Sequence, residues 1–294
     1  DKYADLMKDH RLARQIMATQ TANSLVNRMG PTYVVRTQDE TGASAGEIAR
    51  AYTIARETLD LRPLWRSIEA LDNKVQAKAQ YRMLAESARL LRRASIWVLQ
   101  RPQFANDTKF AIETLRPAIS NLAKNIKDLL RGPALNQFRD FREIYTTMGV
   151  SKELAQKMAG IRYLYSGYNI AQAAAQLNCD DEFVARVYFR VARGLRVTWL
   201  RQQIEQLPVR GRWQALARGT LRENLYEIQR NVTILAVTDG KGSTDDKEVA
   251  QQWQKKNSRE ISRAHGVIAD MRSIGSMDFA TLSVAVQEMR KLVQ

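Results

Sequence analysis

Catalysis by side chains starts from groups that can carry a proton, a metal or a covalent intermediate, and this chain keeps few of them in useful company. His10 and His265, its two histidines, stand near opposite ends of 294 residues, and Cys179 is its one cysteine. A zinc site needs several Cys or His ligands at short, fixed spacings, and neither Cys-x-x-Cys nor His-x-x-x-His occurs. His10, between Asp9 and Arg11, and His265, beside Gly266, read as surface or helix-packing residues. Cys179 precedes Asp180 and Asp181. A helix start there favours a thiolate, but the two carboxylates oppose it, so a plain packed or half-exposed thiol is expected.

Two glycine-bearing loops invite a phosphate reading. Thr41-Gly42-Ala43-Ser44-Ala45-Gly46 opens a helix, yet a dinucleotide fingerprint needs Gly-x-Gly-x-x-Gly after a strand within a βαβ unit. Ser44 with Glu47 three residues on is instead a capping box. Asp239-Gly240-Lys241-Gly242-Ser243-Thr244 lacks the order of a P-loop, and Asp239, Asp245 and Asp246 would repel phosphate. It reads as a mobile loop between helices. No residue is therefore assigned to catalysis, cofactor binding or metal binding.

Arginines recur at helical spacing as Arg89, Arg92 and Arg93, and again as Arg186, Arg190, Arg193 and Arg196. On a nucleic-acid protein such a stripe would follow phosphates, with Tyr188 available for stacking. No helix-turn-helix, zinc-finger or RNA-recognition motif accompanies it, so a solvated or protein-facing stripe is the expectation. Tyr163, Tyr165 and Tyr168 form the most aromatic stretch, suited to a core or to a subunit contact.

The elements that carry these residues are helices throughout. Leu6, His10, Ala13, Met17, Ala18, Thr21, Leu25 and Val26 place one face on a first helix from about Tyr3 to Met29. Gly30-Pro31 stops it, and Tyr33-Val34-Val35 is expected as an extended link or edge. A helix from Ser44 to Leu59 follows, with Ile48, Ala51, Tyr52, Ala55 and Leu59 on one side. A short one opens with Pro63 at its first position. Longer runs cover Lys74 to Gln100, Ile112 to Leu130, Ala134 to Met148 and Ser151 to Leu164. Asn169 to Leu177 is short, and Asp180 or Asp181 caps a helix carrying Phe183, Val187, Tyr188, Val191 and Leu195. Two last helices flank Gly275.

One regularity rises above local pattern. Ile48-Ala49-Arg50-Ala51-Tyr52 returns as Val184-Ala185-Arg186-Val187-Tyr188, an offset of 136 (184 minus 48). Ala55-Arg56 is echoed by Ala192-Arg193, Ile68-Glu69-Ala70-Leu71 by Ile204-Glu205-Gln206-Leu207, and Tyr81 with Leu84-Ala85 by Trp213 with Leu216-Ala217. Trp65 and Trp199 accompany the second match. Self-similarity at a near-constant offset marks duplicated structural units. The expected fold is an all-α, multi-helix bundle built from two similar helical units. The expected divisions are a linking helix and joint (1–42), a first helical unit (43–133), a second (134–238) and a C-terminal hairpin (239–294).

Composition agrees. Hydrophobic residues make 45% and charged residues 26% of the chain, with 14 Gly and 6 Pro, as in globular helical proteins. A lone cysteine fits a reducing cytoplasm. No membrane span or signal peptide is legible, and the chain, lacking an initiator Met, reads as a piece of a larger polypeptide. Lys and Arg outnumber Asp and Glu by 46 to 31, a net charge of +15. Taken alone, that charge favours a free-standing basic helical protein that binds nucleic acid or acts as an adaptor.

Several strings are more specific. Asn27-Arg28-Met29-Gly30-Pro31-Thr32-Tyr33-Val34, followed by Thr41-Gly42-Ala43-Ser44 and Glu47-Ile48-Ala49-Arg50-Ala51-Tyr52, resembles the C-terminal region of the large bacterial NAD-dependent glutamate dehydrogenases. The resemblance extends over essentially the whole chain. It includes Asp9-His10-Arg11-Leu12-Ala13-Arg14, Ile68-Glu69-Ala70-Leu71-Asp72-Asn73 and Val187-Tyr188-Phe189. It continues through Trp199-Leu200-Arg201-Gln202-Gln203-Ile204 and Arg212-Trp213-Gln214-Ala215-Leu216-Ala217-Arg218. It implies a parent enzyme, an oxidoreductase that deaminates L-glutamate oxidatively to 2-oxoglutarate and ammonia with NAD. The catalytic lysine, aspartate and Rossmann glycines of that family precede this region, so no catalytic residue carries over and no cofactor is expected in this fragment. The implied role is a non-catalytic helical domain with a structural, assembly or regulatory part. Its implied partners are the upstream catalytic domain of the same chain and further copies in a cytoplasmic homo-oligomer. Neither membrane nor nucleic acid is expected as a partner.

Overall fold

The computed structural model describes residues 10–240, 242–275 and 277–293. Those residues form sixteen α-helices and two short 3-10 turns, with no strand among them. In chain order the helices are α1 (Ala13–Met29), α2 (Tyr33–Thr41), α3 (Ala45–Thr58), α4 (Leu61–Glu69), α5 (Ala77–Leu99) and α6 (Pro102–Ala105). Then come α7 (Thr108–Leu129), α8 (Gly132–Thr147), α9 (Lys152–Gly160), α10 (Ser166–Leu177) and α11 (Asp181–Gly194). The series closes with α12 (Val197–Gln206), α13 (Arg212–Asp239), α14 (Asp246–Lys256), α15 (Ser258–Ile274) and α16 (Phe279–Arg290). The 3-10 turns are Ile161–Tyr163 and Lys291–Val293. The all-α expectation holds.

The chain divides into two compact units: Asp1–Arg116 with Tyr145–Tyr165, and Pro117–Ile144 with Ser166–Gln294, each over its described residues. In the first, α5 is the hub, packed by α3, α4, α6 and the ends of α1 and α2. The apolar face expected on α3 is buried as Ile48, Ala51, Tyr52, Ala55 and Leu59. Ser44 caps this helix, accepting from the Glu47 N–H at 3.3 Å, while Glu47 returns its carboxylate to the Ser44 N–H at 2.8 Å. On α4, the Trp65 indole N–H donates to the Ser87 hydroxyl of α5 at 3.0 Å.

In the second unit α13 is the hub, contacted by α10, α11, α12, α14 and α16. Val187, Val191, Leu200, Ile204, Leu225, Ile228, Val232 and Trp253 belong to one buried apolar cluster there. Burial of such aliphatic and aromatic side chains is the main favourable term in each unit, at roughly 1.5–3 kcal/mol per large side chain.

Three local expectations are corrected. Tyr33-Val34-Val35 is not extended but opens α2. Tyr33 and Thr37, four residues apart, share a buried face there, and the Thr37 hydroxyl bonds the Tyr33 carbonyl at 2.8 Å. Gly42, at φ 73°, then supplies the left-handed cap. Pro63 occupies the third position of α4, not the first, where its missing N–H is still one that a helix start leaves unpaired. On α1, Leu25 is buried while Met17 and Val26 of the same expected face are exposed. The part of that helix expected over Tyr3–Asp9 lies outside the described residues, as does Lys241 of the expected mobile loop.

The repeated strings fall on matching elements. The first string of each set lies on a 14-residue helix, α3 or α11, which is followed by a short helix and then a long one. Asp60 and Arg196, again 136 apart, both take left-handed backbone (φ 48° and 56°) before the short helix. Ile48, Tyr52, Ala55 and Ile68 are fully buried, as are Val184, Tyr188, Val191 and Ile204. Burial thus keeps the offset of 136 at Ala55, pairing it with Val191. Tyr81 and Trp213, near the starts of the long helices, are both largely exposed, at 72% and 78%.

Candidate functional site

The most chemically distinctive place in the second unit is built on the outer face of α11. Asp180 caps this helix, accepting from the Phe183 N–H at 2.9 Å, and Asp181 and Glu182 follow in the first turn, where the helix dipole favours acids. Burial and the neighbouring Asp180 raise the Asp181 pKa from the usual carboxylate range. Val184, Val187, Tyr188 and Val191 are turned inward. Helical periodicity therefore leaves Glu182, Arg186, Phe189, Arg190 and Arg193 on the opposite side.

A second helix start faces them. Asp245 caps α14, taking the N–H groups of Lys247 at 2.8 Å and Glu248 at 3.3 Å, which hold its carboxyl below the usual range. Buried Val249, Ala250 and Trp253 anchor α14. Asp246, one residue after the cap, then pairs with Arg190 through its Nε and with Arg186 at 3.3 Å. Arg186 also bonds Glu182 at 2.8 Å, an i,i+4 pair. The last turn of α7 adds Asn125, Asp128 and Leu129, and Arg131 follows. Together these side chains enclose a partly open cleft of about 310 Å³.

Behind the cleft, Tyr188 is wholly buried, and burial pushes its phenol pKa far up. Its carbonyl accepts from Gln229 at 3.2 Å, and the Gln229 side-chain oxygen accepts from Arg201 at 2.9 Å. Arg201 lies over the Tyr226 ring, 4.4 Å from its centroid, so this half-buried cation rests on an aromatic face.

Of the residues singled out from sequence, Arg186, Arg190 and Arg193 are brought together, but Arg196 stands apart in its left-handed turn. Arg89, Arg92 and Arg93 diverge: Arg89 pairs with Glu86, Arg92 with Glu40 at 2.5 Å, and Arg93 stacks on Tyr165. His10 is exposed, its Nδ1 accepting from the Leu12 N–H at 3.1 Å. His265 places Nε2 2.8 Å from the Gly194 carbonyl, a helix-packing contact. Cys179 is half-buried, its thiol donating to the Leu177 carbonyl at 3.4 Å. Tyr163, Tyr165 and Tyr168 are each buried, as core residues are. Among the described residues, no group of three or more His, Cys, Asp or Glu is placed to hold a metal ion, and no helix is long and apolar enough to cross a membrane. Phe189 and Arg131 as lining residues, and the pairing of Asp246 with Arg186 and Arg190, escape sequence reasoning; only the arginine spacing on α11 points toward the cleft.

Comparison with known proteins is consistent over the full length. The family model described as "Glutamate dehydrogenase, C-terminal" matches residues 1–291. An NAD-specific glutamate dehydrogenase of Halomonas elongata is 36% identical over 294 residues, and one of Pseudomonas aeruginosa is 35% identical over the same length. One of Mycobacterium tuberculosis is 27% identical over 301 residues. Each alignment covers the whole of this chain but 18% of the relative, so the chain spans less than a fifth of the length of these enzymes. A match to the family model from residue 1 to residue 291 settles membership: this chain belongs to the glutamate dehydrogenase C-terminal family.

Proposed function

We propose that the chain is the helical, non-catalytic C-terminal domain of an NAD-dependent glutamate dehydrogenase, and that its role is to brace and assemble the parent enzyme. The observation that carries this reading is the end-to-end match to a C-terminal family whose NAD-specific relatives are several times longer. In the parent, glutamate is oxidatively deaminated with NAD by residues outside these 294, in the cytoplasm and within a homo-oligomer. The direct partner is the catalytic part of the same polypeptide.

Local structure supports a division of labour along the chain. Residues 1–42 are the arriving helix and joint, with α1 held to its unit through buried Leu25, the Ser24–Tyr52 hydroxyl contact and the Arg28–Glu69 ion pair. The helix triplets α3–α5 and α11–α13 are two copies of one unit, a reading supported by their shared left-handed turn and matching buried positions. Residues 239–294 close the second copy.

The test is an assay of NADH production from glutamate and NAD. The 294 residues alone are expected to be inactive, and the polypeptide joining them to the rest of the gene product active. Glutamate oxidation by the isolated chain overturns the reading.

A further inference from the structure

We propose that the cleft between α11, α14 and the end of α7 binds the anionic head, phosphate or carboxylate, of a small organic molecule. The charge distribution carries the argument. Asp246 is one carboxylate shared by two guanidiniums, those of Arg186 and Arg190. Among the described residues, Arg131 is held by backbone carbonyls alone, donating through Nη1 to that of Asp128 at 2.6 Å and that of Leu130 at 2.7 Å. Arg193 lines the same cleft, and its side chain makes no hydrogen bond or ion pair among the described residues. Two forked cations therefore face the cavity with donor capacity left over, and the planar guanidinium fork matches carboxylate and phosphate oxygens. Phe189 adds an apolar part to the lining. The volume, about 310 Å³, is at the small end of ligand pockets. Asp128 and Glu182 also line the cleft, so with Asp246 three carboxylates face four guanidiniums, which favours a head of low charge and disfavours a polyphosphate.

This inference stands apart from the enzyme reading, because it needs no other part of the polypeptide. Calorimetric titration of the 294-residue chain with inorganic phosphate, and separately with succinate, tests it at matched ionic strength. Saturable binding of at least one probe is expected. Phosphate alone identifies a phosphoester head, succinate alone a carboxylate, and both identify the shared chemistry. Arg193→Glu should weaken that binding by roughly tenfold or more, the loss of one charge-assisted bond with a like charge put in its place. Lys78→Glu, an exposed change on α5, alters the net charge equally and should leave binding unchanged. Circular dichroism shows that each variant is folded. Absence of saturable binding by either probe overturns the proposal, as does an equal effect of the two variants.

Discussion

The hydroxyls of Tyr52 and Ser24 lie 2.8 Å apart and tie α3 to α1. The buried Arg56 side chain reaches the same Ser24 oxygen at 3.3 Å while pairing with Glu57 at 2.9 Å. Leu25 is the apolar counterpart of this polar link. Ser24→Ala leaves the fully buried Tyr52 hydroxyl unpaired, at a cost of about 1–3 kcal/mol, whereas Tyr52→Phe removes the stranded group itself and costs about 1 kcal/mol. Denaturant unfolding should rank the variants in that order, and hydrogen exchange should show the loss concentrated in α1. An equal cost, or protection lost first elsewhere, would contradict the pairing.

Gly167, in α10, has no room for a side chain: a Cβ there would meet the Ile119 Cγ1 at 2.7 Å and the Ile119 Cα at 3.1 Å. Backbone cannot move aside as a side-chain tip can, so Gly167→Ala should destabilise by about 1–3 kcal/mol. Gly219 offers the opposite case, lying inside α13 with nothing within 4 Å of its Cβ direction. There Gly→Ala should stabilise by roughly 0.5–1 kcal/mol by relieving the backbone entropy cost. Paired urea melts of the two variants measure both signs at once.

How much was legible follows from where each signal resides. The buried faces of α3 and α11 and the Ser44–Glu47 cap are local patterns, and they stand where periodicity put them. The helix α2 was hidden because Pro31 and two adjacent valines disfavour helix locally, while burial of Tyr33 and Thr37 decides the outcome. The Met17 side of α1 was misread for the converse reason: an apolar stripe states what can be buried, not what is there to bury it. In the cleft, the arginine spacing was visible, but Asp246 lies 56 residues from Arg190, and no local pattern joins them.

Alkaline stability reports on Tyr188. Its buried hydroxyl has Ser166 beside it but no partner in hydrogen-bond geometry, and burial raises its pKa, as it also raises those of Tyr33 and Tyr145. Unfolding exposes phenols that ionise near pH 10, so above that pH the unfolded state binds fewer protons than the native one. Stability should therefore be complete below pH 10 and fall as pH rises past it, by about 1.4 kcal/mol per pH unit for each such proton. Tyr188→Phe should flatten that slope by close to one proton while changing neutral-pH stability little, since the hydroxyl it removes is unpaired. Unfolding midpoints from pH 8 to 11 measure it, and an unchanged slope would refute the burial argument.

Asp246 and Arg193 line the same cleft, yet only the first should matter to stability. Asp246→Asn removes the one carboxylate that separates Arg186 from Arg190, leaving two like charges on adjacent turns of α11. The pairs are part-exposed, with the arginine side chains at 37%, so solvent screening holds the expected loss to about 1 kcal/mol. Arg193→Ala breaks no pair and should change stability by less than about 0.5 kcal/mol. The Asp246→Asn penalty arises from repulsion between charges that water can reach, so it should shrink markedly between 0.05 and about 1 M salt, as the Debye length falls toward about 3 Å. Thermal melts of the two variants across that range separate the roles. A penalty at Asp246 that ignores salt would mean the carboxylate acts by packing and not by charge.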